Sequence, residues 1–243
     1  MENVEKNVDK VQNHKKRKPL KLFVILTIFF LALVVIASSF LGVFSNSEDT
    51  EDLLNGNSID NMSLTTFIYD KDGNQIDQIY GLENRIHVSY NELPENLINA
   101  IVSIEDERFF EHKGIDIKRT VGAIFTYISN MGESGYGGST ITQQLVKNIT
   151  NDDETNISRK IREWYRAGML ETKYSKEYIF ETYANTIYFG EGAYGVEVAS
   201  RTYFNKSVKD LTLNECAKLA AAIQSPESTN PITSYETHAK LLE

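Results

Sequence analysis

Four stretches of this 243-residue chain place acids, bases, amides and glycines close enough together to do chemistry. One reads Gly137-Gly138-Ser139-Thr140-Ile141-Thr142-Gln143-Gln144-Leu145-Val146-Lys147-Asn148. Its two glycines permit a tight turn or a close approach to a ligand, and Ser139 is a good helix N-cap. On the helix that follows, Ser139, Gln143 and Lys147 recur every fourth residue and share one face, while Ile141 and Leu145 point toward a core. A glycine turn, a helix N-terminus, and hydroxyls, amides and a lysine on one side can hold an anion such as a phosphate. A capped amphipathic helix has the same pattern, so both readings stand on these residues alone.

A second stretch, Glu105-Asp106-Glu107-Arg108-Phe109-Phe110-Glu111-His112-Lys113-Gly114, alternates charge with a phenylalanine pair. A carboxylate among aromatics is desolvated, its pKa rises, and it then suits general acid or base work. The competing reading is a solvated helix end, with Ser103 and Asp106 as a capping box and Gly114 as a C-cap. A third stretch is Arg159-Lys160-Ile161-Arg162-Glu163. Three cations around one carboxylate keep it ionised and can grip an anionic leaving group; a surface salt bridge between Arg159 and Glu163 accounts for the same spacing. A fourth runs from Tyr183 through Asn185 and Tyr188 to Gly190 and Gly195, with Tyr203-Phe204 beyond. Tyrosine, asparagine and glycine suit sugar contacts, and an aromatic helix–loop core uses them equally well. No HExxH or similar spacing supports a metal site built from protein ligands alone.

The elements that must position these residues follow from charge and periodicity. Residues 1–21 carry seven lysines and arginines against three acids, a net +4. Leu22 to Phe44 is an uncharged apolar run of 23 residues, and as a helix it rises about 34 Å, enough to cross a hydrocarbon core of about 30 Å. The basic flank precedes the span, so the tail is expected in the cytoplasm and residues 45–243 outside, anchored by a single pass. Those outer residues carry −13 of the chain's overall −9. An acidic domain argues against general nucleic-acid binding. Residues 45–63 read as a polar, acidic linker. Asp70-Lys71-Asp72-Gly73 is a turn signal between two strand-like runs, so a β-hairpin is expected. From Pro94 onward the spacing is helical, first at Leu97, Ile101 and Ile104. Residues 117–130 form an amphipathic helix whose apolar face either packs on the core or, close to an anchoring membrane, meets lipid. Cys216 is the only cysteine, which excludes an intrachain disulfide, and its alanine- and leucine-rich surroundings mark it as a small buried group.

In order along the chain, EDERFFEHKG, GGSTITQQLVKN, RKIRE, KEYIFETYANTIYFGEGAYG and LTLNECAKLAAAIQSPESTNP resemble the five motifs of the family 51 glycosyltransferases, the peptidoglycan glycosyltransferases. The resemblance covers about residues 80–231. It departs in two places: an arginine usual just before the third motif is absent from the acidic linker around Thr155, and Ala184 stands where leucine is usual. Neither S-x-x-K nor K-T-G occurs, so no transpeptidase domain lies within these residues. The chain therefore fits a monofunctional enzyme or the front of a bifunctional penicillin-binding protein, and its end inside a helix-like segment favours the second.

The resemblance implies a mostly α, lysozyme-like glycosyltransferase domain over residues 64–243, with a short N-terminal β-hairpin and a small jaw near 115–136, preceded by one transmembrane helix. It implies polymerisation of lipid II onto a growing glycan strand with inversion, a β-1,4 link and release of undecaprenyl pyrophosphate. Glu105 matches the family's base and Glu163 its second glutamate, which binds a divalent metal bridging the pyrophosphate or positions basic residues. Lys147, Arg159, Lys160 and Arg162 match the pyrophosphate-side cations. Ser139, Thr140, Gln143, Gln144, Asn148, Asn185 and Tyr188 are expected on the substrate, with Asp106 orienting the site and His112 a structural hydrogen-bond partner. Mg²⁺ or Mn²⁺ would be held mainly by phosphate oxygens. The expected partners are lipid II, the glycan strand, the bilayer and the cell-wall synthesis machinery. Two other classes remain: a lysozyme-like glycan-cleaving enzyme, and an inactive membrane-anchored glycan-binding scaffold.

Overall fold

A computed structural model describes residues 66–79, 85–129, 137–150, 152 and 157–232, with Phe23, Leu26–Ile28, Phe30, Leu31 and Val34 nearer the N-terminus. The chain divides into two compact units, Met1–Ser47 and Glu48–Glu243. In the first, the described residues are helical and exposed, and the Thr27 hydroxyl donates back to the Phe23 carbonyl at 2.8 Å. Most of the predicted span at 22–44 lies outside the described residues, as do the tail and the linker at 45–63. Among the described residues no helix is long and apolar enough to cross a membrane.

The second unit is mostly helical. It opens with a hairpin, β1 (Thr66–Tyr69) and β2 (Gln75–Ile79), paired antiparallel with Thr66 opposite Ile79. Asp70 closes the turn by accepting from the Asp72 and Asn74 amides at 2.8 and 2.9 Å, the side-chain mimic of a backbone turn that aspartate favours. The helices are α1 (Glu95–Glu105), α2 (Ile117–Ser129), α3 (Ile141–Thr150), α4 (Ile157–Lys173), α5 (Lys176–Thr186), α6 (Val196–Phe204), α7 (Leu213–Ala222) and the short α8 (Pro226–Thr229).

Pro94 precedes the first turn of α1, where its ring suits the helix entry. Leu97, Ile98, Ile101 and Val102 then form a buried stripe that packs on α7, whose own stripe is Cys216, Leu219 and Ala220. Thr212 and Glu215 cap α7 reciprocally. The centre of the core is aromatic: Phe180 of α5 lies 6.1 Å from Phe109 and 6.5 Å from Tyr183, ring centre to ring centre. Helix α3 packs on both α4 and α5, which fixes the fate of its polar residues. In α2 the described apolar residues Ile117 and Val121 are 73% and 59% exposed, so this part of its apolar face is not covered by the core. Residues 130–136 of the expected jaw lie outside the described residues.

Candidate active site

Glu105 is the last residue of α1, and Asp106 is the C-cap that turns the chain away. The stripe that buries α1 therefore sets the height of the Glu105 carboxyl against α3 and α5. The Gln144 amide NH2 donates to Glu105 Oε2 at 2.7 Å, and the Tyr183 hydroxyl donates to Gln144 Oε1 at 3.0 Å. Helices α1, α3 and α5 thus meet in one line of hydrogen bonds. Burial raises the Glu105 pKa above its ordinary value, opposed by the Gln144 hydrogen bond and the Arg119 charge and reinforced by the Asp106 charge. Arg119, on α2, donates to the Glu105 carbonyl and, at 3.0 Å, to the Gly137 carbonyl. It ties α2 to both ends of the site and went unnoticed in the sequence, where a Lys-Arg pair in the first turn of an otherwise apolar helix reads as a solvated end. A cleft of about 670 Å³ opens beside it, lined by Ser103, Glu107, Arg108, Lys118, Arg119 and Thr126.

The expected anion cradle is rebuilt by these distances. Thr140, not Ser139, caps α3: the Gln143 amide donates to Thr140 Oγ1 and the Thr140 amide to Gln143 Oε1, both at 3.1 Å. The Ile141 amide donates to Asp106 Oδ2 at 3.0 Å. The anion at this helix N-terminus is the chain's own Asp106, which is fully buried. The Thr140 hydroxyl donates to the Gly114 carbonyl at 2.7 Å. Thr140 and Gln143 are buried, so neither reaches a substrate as expected. With α4 and α5 on two sides the buried arc of α3 is wide and takes in Gln143, leaving Gln144 half-buried at Glu105 and Lys147 and Asn148 exposed. The glycines do different work too. Neither Gly137 nor Gly138 has a positive φ, and a Cβ on Gly138 would meet the Ala123 side chain of α2 at 3.0 Å.

Ser139 instead faces the third motif, accepting from Lys160 Nζ at 2.8 Å. Glu163 is 5% exposed and holds Lys160 through Oε1 and Arg159 through Oε2, the latter at 2.6 Å. Both carboxylate oxygens are engaged by cations, so Glu163 as placed does not fit the expected metal-ligand role, which would require displacing one of them. Among the described residues no cluster of three or more acids, histidines or cysteines could hold a metal ion. Arg162 departs from the expected pyrophosphate set. It forks onto Asp152 at 3.0 and 3.1 Å, and Arg166 approaches the same carboxylate at 3.5 Å. The acidic linker thus draws one cation of the motif to itself. Lys147 and Arg159 line a shallow hollow with Glu163 and Arg166.

Behind this layer His112 Nε2 lies 2.9 Å from Asp106 Oδ2. Glu171, nearby in α4, accepts from the Thr142 hydroxyl at 2.5 Å and from Lys176 at 2.7 Å, and the Lys176 ammonium sits 4.3 Å over the Phe109 ring. His112 thus has its hydrogen-bond partner within the fold, in the carboxylate that caps α3. Asn185 is not a substrate group. Its Oδ1 accepts from the Val88 amide at 2.9 Å, and its NH2 donates to the Val88 and Glu181 carbonyls at 2.8 Å, pinning the segment before α1 to α5. The Tyr188 hydroxyl donates to Glu227 at 2.8 Å and its ring leans on Tyr194 at 4.8 Å, so the contacts it makes are with the loop after α5 and with α8.

The arrangement offers a desolvated carboxylate held by an amide donor, beside a helix pair that presents cations. A family model described as Transglycosylase matches residues 72–242. Penicillin-binding protein 1A of Clostridium botulinum (strain Langeland) is 42% identical over 90% of this chain and 27% of its own length, and that of Clostridium tetani is 44% identical over 94% and 29%. Penicillin-binding protein 1F of Bacillus subtilis is 40% identical over 90% and 29%. A crystal structure of penicillin-binding protein 1A from Haemophilus influenzae is matched over 74% of this chain and 17% of that one, at 22% identity and a TM-score of 0.36. The chain spans less than a third of the length of these relatives. With the match running unbroken from the hairpin turn past α8, through Glu105, Gln144, Glu163 and Tyr183, the chain belongs to the transglycosylase family.

Proposed function

We propose that this chain polymerises lipid II into β-1,4-linked peptidoglycan strands with inversion, releasing undecaprenyl pyrophosphate. The observation that carries the reading is Glu105: burial makes its carboxylate more basic, while Gln144 donates to it and so favours the ionised form. An acceptor sugar hydroxyl has a very high pKa, and its proton must leave as the oxygen attacks the donor's anomeric carbon. Glu105 takes that proton as the new C–O bond forms and the bond to pyrophosphate breaks. The charge growing on the pyrophosphate calls for cations and donors. Lys147, Arg159 and Lys160 supply them, and Glu163 keeps Arg159 and Lys160 side by side rather than reacting itself. Asn148, exposed one residue beyond Lys147, lies on the same open side of α3.

The reading places the domain in the lysozyme-like architecture with a jaw around 115–136, on a membrane anchored through 22–44 with the tail inside. The exposed Ile117 and Val121 then meet lipid. Mg²⁺ or Mn²⁺ would be carried by the substrate's own phosphate oxygens, since Glu163 has no oxygen clear of its cations; no step of the chemistry above runs through it.

The test is the full chain in detergent with labelled lipid II and Mg²⁺. Glycan polymer is expected, and Glu105→Gln is expected to lower the rate by roughly 10²–10⁴-fold, the range of a general base. Near-normal turnover in Glu105→Gln would remove the base assignment. Consumption of finished glycan but not of lipid II would replace polymerisation with cleavage.

A further inference from the structure

Tyr183 is fully buried, with 0% of its surface exposed, yet its hydroxyl is spent on a single partner, Gln144 Oε1. An ionised carboxylate only accepts, so Gln144 must turn its NH2 toward Glu105. That leaves Gln144 Oε1 facing Tyr183, where only a donor satisfies it. Burial and the nearby Glu105 and Asp106 charges hold the Tyr183 pKa well above its ordinary value, so the hydroxyl keeps its proton and can donate. We propose that Tyr183 is a positioning residue: acting through Gln144, it fixes the amide with its NH2 toward Glu105 and so keeps that carboxylate ionised and aimed as the base. The inference rests on the polymerase reading above.

The alternative arrangement shows why the hydroxyl matters. With Glu105 protonated, its own O–H can donate to a turned-over Gln144 carbonyl, and the freed NH2 then faces position 183. A tyrosine donates to the carbonyl in the first arrangement; in the second it can only accept, and its own buried O–H is left facing no acceptor, which costs free energy. A phenylalanine offers no donor to the carbonyl but accepts an N–H over its ring face, which favours the turned-over amide and the neutral acid. The other charged groups around Glu105 do not take over this task. The Arg119 charge on α2 also favours ionisation, but its hydrogen bond goes to the Glu105 backbone carbonyl and so does not aim the carboxylate, and Asp106 acts on the Glu105 charge in the opposite sense.

The experiment is the pH dependence of lipid II polymerisation by the full chain, for wild type and Tyr183→Phe. The acid limb is expected to move up by about one pH unit, equal to about a tenfold lower rate on the acid side, as loss of a charge-directed hydrogen bond implies. The position of the limb is the readout. A lowered plateau with the limb unmoved would make Tyr183 a packing residue and overturn the proposal. Gln144→Leu, at a half-buried position, is expected to shift the limb the same way, and adding Tyr183→Phe to it is expected to shift it no further. Independent, additive shifts would overturn the relay even if Tyr183→Phe alone folds poorly. If wild type makes no polymer at any pH, the polymerase reading fails instead.

Discussion

At the scale of single residues, the site is set by which groups are desolvated and which have their hydrogen bonds already committed. Glu105 is the group the fold holds at a cost. Its folded pKa is raised above the ordinary 4.5, chiefly by burial. A group shifted in that direction favours folding below its unfolded pKa, and this contribution is lost as the pH rises through the folded value. Glu105→Gln stays neutral throughout, so it is expected to melt with wild type near about pH 4 and above it near about pH 8, the gap opening between them. Thermal melts at constant ionic strength measure this; a gap independent of pH would mean the carboxylate is not desolvated. Sequence order alone singled out Glu105 and Glu163 as candidates, because their neighbours are distinctive. It misassigned Gln143 and Asn185, because spacing tells which residues share a helix face but not which face a neighbouring helix covers. Tyr183 was visible only as one aromatic among several; its role exists only once α5 lies against Gln144.

Elements bring the motifs together through a few contacts that tolerate no extra atoms. The turn after the Glu105 segment lies on α4 at Gly114, where φ is +85° and an added Cβ would sit 2.6 Å from the Ala167 carbonyl oxygen. The Gly114 carbonyl also accepts the Thr140 hydroxyl at the start of α3. Displacing this turn would disturb the cap of α3 and, through Asp106, the end of α1. Gly114→Ala is expected to cost at least about 2 kcal/mol, from the left-handed backbone and the clash together. Gly114→Asn separates the two causes: asparagine accepts a positive φ more readily but still carries the Cβ. If close approach dominates, the two variants lose similar stability by denaturant unfolding; recovery in the asparagine variant would assign the cost to φ. Gly114 was legible as a helix C-cap candidate, and the structure uses it as a contact surface instead. The same shift explains the Gly137-Gly138 pair, where Gly138 is needed for its closeness to α2 rather than for a turn. Helix positions from Pro94 onward were well marked because their apolar stripes are long. The cap of α3 was misplaced by one residue because serine and threonine in sequence satisfy the same rule.

For the molecule as a whole, five motifs in order outweighed any single spacing, since each block taken alone also described an ordinary helix. The charge distribution is the other global feature, with +4 ahead of an uncharged run and −13 beyond it. Among the described residues the core falls between Val88 and Ala222, inside the second unit, so that unit has the means to fold without residues 1–44. A chain lacking those residues is expected to keep the melting transition of the domain. On the proposed function, what it loses is proximity: a tether to the bilayer that carries the substrate raises effective concentration without adding a contact, by roughly 10²-fold or more. Lipid II polymerisation in vesicles is therefore expected to fall by about that factor on truncation, while polymerisation in detergent micelles falls far less. Equal losses in both would show that residues 1–44 serve the fold or the chemistry rather than the anchoring. Retention of vesicle activity would transfer the anchoring to the exposed Ile117 and Val121 of α2, and serine at both positions in the truncated chain is then expected to abolish it.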